Sequence, residues 1–215
     1  MTRQPRSYDA TRRRERAEEE RRATQRRVVE AARELFVTRG YVATTVADIA
    51  KEAGVALQSV YNAGKSKAAL MHLVVDLAVA GDDDEVLLTD RPGFAVIAEL
   101  PSAEQQVEKI AALIAQTMQR LAPIWVAYRQ AAAVDPSAAE SLEAAHRRRN
   151  QTFATLIGMV DQGRLRLSPE EATDTAWAIG SIDVYLLLRT IRGWDHEHYT
   201  GWLTSTLVAQ LVEPA

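Results

Sequence analysis

Residues 44–70 read TTVADIAKEAGVALQSVYNAGKSKAAL, and this stretch decides the fold of the N-terminal part of the chain. Its first half repeats apolar residues at the three-and-four spacing that gives a helix one apolar face: Val46, Ile49, Ala50 and Ala53. Thr45 followed by Asp48 is the capping-box pattern that begins such a helix. Gly54 accepts the left-handed conformation that ends a helix and turns the chain sharply. The stretch therefore predicts two short helices joined by a tight turn.

The second of these helices is predicted to present an uncharged polar face to solvent. Val55 and Val60 pack back onto the first helix, and the small Ala50 lets the two helices approach closely. The residues left on the outer face are Leu57, Gln58, Ser59, Tyr61 and Asn62. Amide, hydroxyl and phenol groups suit both base edges and phosphates. We therefore expect a helix-turn-helix over about residues 44–63 that binds DNA, with further contacts from Thr44, Thr45, Lys65 and Lys67.

From residue 26 to residue 70 the chain resembles the TetR family of bacterial transcriptional regulators. The resemblance is carried by Ala31-Ala32, Leu35-Phe36, Gly40-Tyr41, Thr44-Thr45-Val46, Ile49-Ala50, Ala53-Gly54-Val55, Val60-Tyr61 and Lys67. It implies an all-α fold of about nine helices, in which a three-helix helix-turn-helix domain precedes a helical domain that binds a ligand and dimerises. It also implies a homodimer through the last two long helices, a near-palindromic double-stranded DNA operator and an unknown small-molecule effector. Repression is the more common role that this resemblance suggests.

Two positions depart from the usual pattern of that family. Ala56 stands where a Ser or Thr is usual, so the start of the second helix lacks a side-chain cap, which costs about 1 kcal/mol. Gly64 stands where an aromatic residue is usual, and we expect it to be the flexible end of that helix, with Ser66 capping the next one. We expect DNA affinity to depend more on Lys65, Lys67 and the arginine-rich leader as a result.

Length and composition limit the class of protein. A chain of 215 residues has room for one small and one larger helical domain, and we place the boundaries at residues 1–23 for a charged extension, 24–81 for the DNA-binding domain and 82–215 for the second domain. The absence of cysteine excludes disulfides and thiolate chemistry. No apolar run approaches the roughly 20 residues that cross a bilayer, and no secretory signal begins the chain. We expect a cytoplasmic protein without a membrane partner.

The net charge of −3 hides a division between the two halves of the chain. Residues 1–67 contain 15 Lys and Arg against 9 Asp and Glu, a net charge of +6, whereas the remainder contains 11 against 20, a net charge of −9. Positive charge on the DNA-binding half provides salt-dependent affinity for phosphates. The negative charge of the second half either keeps that half away from DNA by repulsion or serves only to make the protein soluble.

The leader alternates arginines and glutamates, which favours a solvated helix with ion pairs four residues apart. The arginines considered for DNA contact are Arg12, Arg13, Arg14 and Arg16. They form either an arm that contacts the DNA backbone or minor groove, or a charged extension of the first helix that touches no DNA. We expect disorder up to about residue 10, because nothing there is apolar enough to be held down.

The rest of the chain has a helical pattern. After a helix over residues 67–80 and a connecting segment, we predict helices over 102–121, 123–134, 137–162, 168–191 and 198–212, with Gly163 as a stop. The helix from residue 168 is apolar on more than one face, which favours a dimer interface over burial within one subunit. Candidate pocket residues are Met118, Ile124, Trp125, Tyr128, Phe153, Ile157, Trp177 and Tyr185, although plain core packing is the favoured explanation for each of them.

Several charged groups have an ordinary structural interpretation. We expect Asp183 to reach the dimer rim or an arginine partner, and we expect His146 and Arg147 to Arg149 to form a solvated helix face. Asp195-His196-Glu197-His198 lies where a helix begins, so capping is favoured over a metal site. We assign no catalytic residue, no metal and no cofactor, so an enzyme is not expected. A helical small-molecule carrier with a weakened DNA-binding half is the alternative that Ala56 and Gly64 leave open.

Overall fold

The structure is a computed structural model that describes residues 7–81 and 92–214, with only the backbone described for residues 7–11 and 92–93. The described chain is almost entirely helical, and its one β-type feature is an isolated antiparallel bridge between Leu165 and Val212. Its α-helices are α1 Ser7–Ala43, α2 Val46–Ala53, α3 Leu57–Gly64, α4 Lys67–Ala80, α5 Pro92–Ala95, α6 Ala103–Val134, α7 Pro136–Gly158, α8 Pro169–Ile179, α9 Ile182–Leu186 and α10 His196–Leu211. The all-α fold is confirmed.

The first four helices have the predicted order. Helix α1 is interrupted at Gly40, where φ is 80° and ψ is 166°, so the predicted end of the first helix at Gly40-Tyr41 matches the backbone. Helix α4 has the expected bounds, and Ser66 caps it as predicted by accepting from the Ala69 N–H at 3.1 Å. The start of α1 differs from expectation, because the helix already begins at Ser7 instead of near residue 10. The expected disorder of residues 1–6 lies outside the described residues.

Helix α6 is continuous, so the predicted break before Pro123 is wrong. A proline inside a helix removes one hydrogen bond and crowds the preceding turn. The proline leaves the Gln119 carbonyl without its helical N–H donor. Pro123 and Gln119 are both exposed, so water can reach this carbonyl. Met118, Ile124 and Tyr128 are buried on the other side of α6. The burial of these side chains, before and after Pro123 in the sequence, stabilises α6 by more than the lost hydrogen bond costs.

The predicted single helix over residues 168–191 is also wrong, since it is broken at Gly180-Ser181. Gly180 ends α8, and Ser181 caps α9 by accepting from the Val184 N–H at 3.3 Å. Helix α9 then continues as a π-helical turn over Leu187–Ile191. The other ends shift slightly: α7 stops at Gly158, before a 3₁₀ turn at Gln162–Arg164, and α10 begins at His196 under an Asp195 cap.

Helix α6 is the centre of the second half of the chain and packs against α1, α4, α7, α9 and α10. The capping box of α8 is present, with Ser168 and Glu171 bonded reciprocally. Arg120 of α6 donates to the carbonyls of Ala78 and Val79 at 3.0 and 3.1 Å, which fixes the C-terminal end of α4. Among the described residues no helix is both long enough and apolar enough to span a membrane.

Candidate DNA-binding surface

Helices α2 and α3 form the helix-turn-helix that the sequence predicts. Thr45 accepts from the Asp48 N–H at 3.1 Å and its own N–H donates to the Asp48 carboxylate at 2.9 Å, so the capping box is complete. These bonds to Thr45 lower the pKa of Asp48 below its usual range. Gly54 has φ 63° and ψ 40°, the left-handed conformation that the turn requires. The buried Ile49 and Val60 close the contact between the two helices.

The outer face of α3 is uncharged and open to solvent. Leu57 and Tyr61 remain 45% and 43% exposed, which is unusual for large apolar side chains one turn apart. Gln58 and Asn62 are exposed beside them, and the Gln58 Nε2 donates to the Asn62 Oδ1 at 3.1 Å. Ser59 is half-buried. Two amides and a phenol on one face of an exposed helix supply the donors and acceptors that base edges match.

The start of α3 carries no side-chain cap, as predicted from Ala56. Its other end is set by close packing. Gly64 is buried, and a Cβ added there would lie 2.3 Å from Cδ2 and 2.4 Å from Cγ of Leu70. Leu70 of α4 is itself 1% exposed. Gly64 is therefore needed for this close approach, and the expectation that it is merely a flexible end is corrected.

Two residues predicted to contact DNA use their polar groups for bonds within the domain instead. Thr44 is fully buried, and its hydroxyl donates to the Gly40 carbonyl at 2.8 Å. Lys67 donates from Nζ to the carbonyls of Tyr41 and Thr44, both at 3.0 Å, and lies 4.1 Å from the centre of the Tyr41 ring. Partial burial lowers the pKa of Lys67. Thr44 and Lys67 therefore join α1, α2 and α4 and are removed from the set of direct DNA contacts.

The residues outside α3 that remain candidates for DNA contact are on the surface. Lys65 is exposed and has a positive φ of 56° at the turn between α3 and α4. Thr45 is also exposed. On the leader, Arg12, Arg13, Arg14 and Arg16 are exposed along α1. Further along, Arg21 and Arg22 pair with Glu18 at 2.6 and 3.3 Å, which is the helical ion pairing that the alternating sequence predicts.

The candidate pocket residues are mostly packed core. Met118, Ile124, Tyr128, Phe153, Ile157 and Tyr185 are buried, and Trp125 is 6% exposed. Trp177 is half-buried on α8 and, together with His146 and neighbouring residues of α7, lines an open groove of about 420 Å³. The structure therefore brings Trp125 and Trp177 together around His146, with ring centres 6.2 and 6.4 Å away. The groove on α7 was not predicted from the sequence.

The predicted solvated face of α7 holds for His146, Arg147 and Arg148, which are exposed, but not for Arg149. Arg147 is exposed and pairs with Glu143 at 3.8 Å, as expected. Arg148 reaches across to Asp76 of α4 at 3.4 Å. Arg149 is half-buried against α8. A run of identical residues carries no periodicity of its own, so only the packing of the neighbouring helices could separate their roles.

Other charged groups behave as predicted. Asp183 is exposed and has an arginine partner, Arg129, at 3.7 Å. Asp195 caps α10 by accepting from the His198 N–H at 2.8 Å, and His198 stacks on Trp194 with ring centres 4.0 Å apart. His72 of α4 bonds Asp76 and Ser141, which links α4 to α7.

Comparison with known proteins agrees with this geometry. Residues 28–74 match the sequence model of a family described as bacterial regulatory proteins, tetR family. No curated protein matches the chain.

Three solved structures share the fold. A putative transcriptional regulator from Saccharomonospora viridis in complex with choline has a TM-score of 0.65 at 21% identity, over 88% of this chain and 98% of that one. NalD, the secondary repressor of the MexAB-OprM multidrug efflux pump in Pseudomonas aeruginosa, has a TM-score of 0.65 at 21% identity, over 90% and 99%. A complex of SmeT with triclosan has a TM-score of 0.66 at 17% identity, over 90% and 93%. At these identities the similarity establishes the shared fold.

Proposed function

We propose that this chain, which belongs to the TetR family of bacterial regulatory proteins, represses transcription as a homodimer bound to a near-palindromic operator. The observation that carries the proposal is the open, uncharged face of α3, on which Gln58, Tyr61 and Asn62 lie beside Leu57. Two copies of this helix related by a two-fold axis would enter successive major grooves about 34–36 Å apart.

The proposed DNA contacts divide by role. Gln58, Tyr61 and Asn62, with Leu57 and Ser59 beside them, are assigned to base edges, because amide groups pair with adenine and apolar groups contact the thymine methyl. Thr45 and Lys65 are assigned to phosphates at the two ends of the motif. The arginines of the leader, Arg12, Arg13, Arg14 and Arg16, are assigned to the DNA backbone.

The proposed dimer uses the C-terminal helices. Leu187 and Ile191 on the π-helical turn are 55% and 73% exposed, and exposed apolar side chains at one site favour contact with a second subunit. The domain boundaries that we propose stay at residues 23–24 and 81–82.

The effector is proposed to be a small apolar or amphipathic molecule that binds between helices of the second domain. Two proteins of the same fold were solved with small molecules, choline and triclosan. A bound effector releases DNA only to the extent that it prefers the arrangement in which the two α3 helices lose their spacing. Helix α4 is the connection, because Arg120, Ser141 and Arg148 bond it from α6 and α7.

The alternative of a carrier with a weakened DNA-binding half is less well supported. The missing cap at Ala56 favours it, but Leu70 fills the space next to Gly64 and the domain around α3 is well packed. The two functions differ in their response to salt.

The experiment is a gel-shift of the intergenic DNA beside the protein's own gene, at two salt concentrations and with excess unrelated competitor DNA. A regulator binds in the presence of competitor, and its affinity falls steeply with salt because phosphate contacts release counterions. A carrier does not stay bound to the intergenic DNA in the presence of the competitor DNA. That result would overturn the proposal.

A further inference from the structure

The outer face of α3 carries two neighbouring rows of exposed side chains. Gln58 and Asn62 form a row of amides, and Leu57 and Tyr61 form an apolar row next to it. Residues four apart in a helix lie on the same face, about 6 Å apart along the axis. A helix that enters the major groove with this face therefore places amides and apolar groups side by side against the base edges.

The two amides are bonded to each other. The Gln58 Nε2 donates to the Asn62 Oδ1 at 3.1 Å. Each amide has one carbonyl oxygen, which accepts, and one NH₂ group, which donates. The bond therefore leaves the Gln58 Oε1 and the Asn62 Nδ2 unused within the pair. Turning over both amides together would exchange these roles, so the pair presents one acceptor and one donor in either arrangement.

Adenine is the base whose major-groove edge matches one acceptor and one donor. It carries a donor at N6 and an acceptor at N7, whereas guanine carries two acceptors, cytosine one donor, and thymine one acceptor beside a methyl group. Guanine is most often bound by arginine or lysine, and the eight residues of α3 include neither. The thymine that pairs with adenine adds a methyl group, which suits the apolar row of Leu57 and Tyr61.

We propose that α3 reads an A·T base pair, with the bonded amides of Gln58 and Asn62 on the adenine edge and the apolar row on the thymine methyl. This inference rests on the proposed function and deepens it, because it names a base pair that each operator half-site contains. The two amides act as one unit, so the loss of either removes recognition of the same base pair. Their bond also orders both side chains before DNA binds, which lowers the entropy cost of binding.

The first experiment separates the two grooves of the DNA. Selection from random duplexes gives the half-site that the full chain binds, and fluorescence anisotropy measures its affinity for substituted duplexes. Inosine paired with cytosine combines the major groove of G·C with the minor groove of A·T, and 2,6-diaminopurine paired with thymine does the reverse. At one A·T pair we expect inosine to lower the affinity at least tenfold and diaminopurine to change it by less than about twofold.

Three results of this experiment would overturn the proposal. They are a half-site without an A·T pair, inosine duplexes that bind as well as A·T duplexes at every position, and losses that follow diaminopurine instead of inosine. The last result would mean that the protein reads the minor groove.

The second experiment assigns the base pair to the amides. Gln58→Met and Asn62→Leu keep the size of each side chain and remove its polar atoms. Both variants should bind the A·T and inosine duplexes within about twofold of each other, at the same base pair, and 7-deazaadenine, which lacks the N7 acceptor, should no longer weaken binding. Low salt keeps a measurable affinity through the phosphate contacts.

The matched control is Gln105→Met, since Gln105 is an exposed amide on α6, and it should keep the full preference for A·T. Discrimination that survives in both α3 variants would contradict the assignment. Losses at two different base pairs would show that the amides read separately, which also overturns the proposed unit. Circular dichroism confirms that the variants are folded, as expected for exposed positions.

The selection also separates this inference from the proposed function. A protein that enriches a duplex but never distinguishes A·T from inosine is still a sequence-selective DNA-binding protein, so only the base assignment is overturned. A protein that enriches no duplex overturns the regulator and the base assignment together.

Discussion

Gly64 and Leu70 occupy one space at the junction of α3 and α4. A Cβ at residue 64 would come within 2.4 Å of two Leu70 carbons, so Gly64→Ala should cost about 1–3 kcal/mol through overpacking. Leu70→Ala should cost about 2–5 kcal/mol by leaving a cavity. The double variant should be more stable than the sum of the two single changes predicts, because the added methyl group enters that cavity. Urea denaturation of the four proteins measures this coupling, and strict additivity would contradict the packing.

Lys67 acts as a structural residue in this account. Lys67→Met removes two bonds to the Tyr41 and Thr44 carbonyls and should lower the free energy of unfolding by about 1.5–3 kcal/mol. The same urea measurement tests this prediction. Lys65→Met is the control, because Lys65 is exposed, and it should change the salt dependence of DNA binding with little effect on stability. The opposite pattern, an undiminished stability and a reduced salt slope for Lys67→Met, would restore Lys67 as a phosphate contact.

At the scale of a helix, the capping box of α2 gives a pH dependence. Bonds from Thr45 lower the pKa of Asp48 in the folded protein, so the carboxylate stabilises the fold above the usual aspartate pKa of about 3.9, and this contribution is lost as pH falls through the lower folded value. Asp48→Asn should therefore show a smaller loss of melting temperature on acidification than the unaltered protein. Circular dichroism melts across the acid range measure this difference, with Glu52→Gln on the same helix as the control. Parallel curves for the unaltered protein and Asp48→Asn would contradict the cap.

Local signals in the sequence predicted the ends of the helices better than their continuity. Ser66 and Asp195 cap the helices for which the sequence predicts caps, because a cap depends on a few neighbouring residues. Two predictions of continuity are wrong. Helix α6 continues through Pro123, where a break is predicted, and the helix predicted over residues 168–191 is broken at Gly180. Pro123 is tolerated because the helix is buried on both sides of it, and Gly180 breaks a helix beside Ile114, 3.0 Å from where its Cβ would lie.

The candidate DNA-binding surface shows the same difference between what neighbouring residues predict and what tertiary packing decides. The outer face of α3 could be predicted, because periodicity within one helix assigns its faces. Thr44, Lys67 and Arg149 could not. Thr44 is buried with its hydroxyl on carbonyls of the preceding helix, and Lys67 and Arg149 bond carbonyls distant in sequence. Their types, a hydroxyl and two cations, favour the surface on average, and only tertiary packing overrides that preference.

At the scale of the whole molecule, the exposed apolar residues of the π-helical turn predict a dimer. Leu187→Glu or Ile191→Glu should convert dimers to monomers, because a charge buried in an apolar interface has no partner. Val134→Glu is the control, since Val134 is equally apolar and 62% exposed at the end of α6. Light scattering after size-exclusion chromatography gives the mass. A monomeric unaltered protein, or a dimer that both charged variants leave intact, would contradict this interface.

The division of charge along the chain fits this arrangement. The first 67 residues carry a net charge of +6 and the remainder −9, so the DNA-binding half is attracted to a duplex from which the second half is repelled. Both halves meet at α1, α4 and α6. In the proposed function, this contact is the route by which a change in the second domain reaches α3.

The central claim is that the outer face of α3 selects the operator sequence. The most direct measurement is a footprint, on the intergenic DNA beside the gene, of the unaltered protein, Tyr61→Ala, Asn62→Ala and the control Gln105→Ala, an exposed amide on α6. We predict that the first two variants stay folded and dimeric but lose the protected site, whereas Gln105→Ala retains it. An unchanged footprint from Asn62→Ala and Tyr61→Ala would contradict the claim.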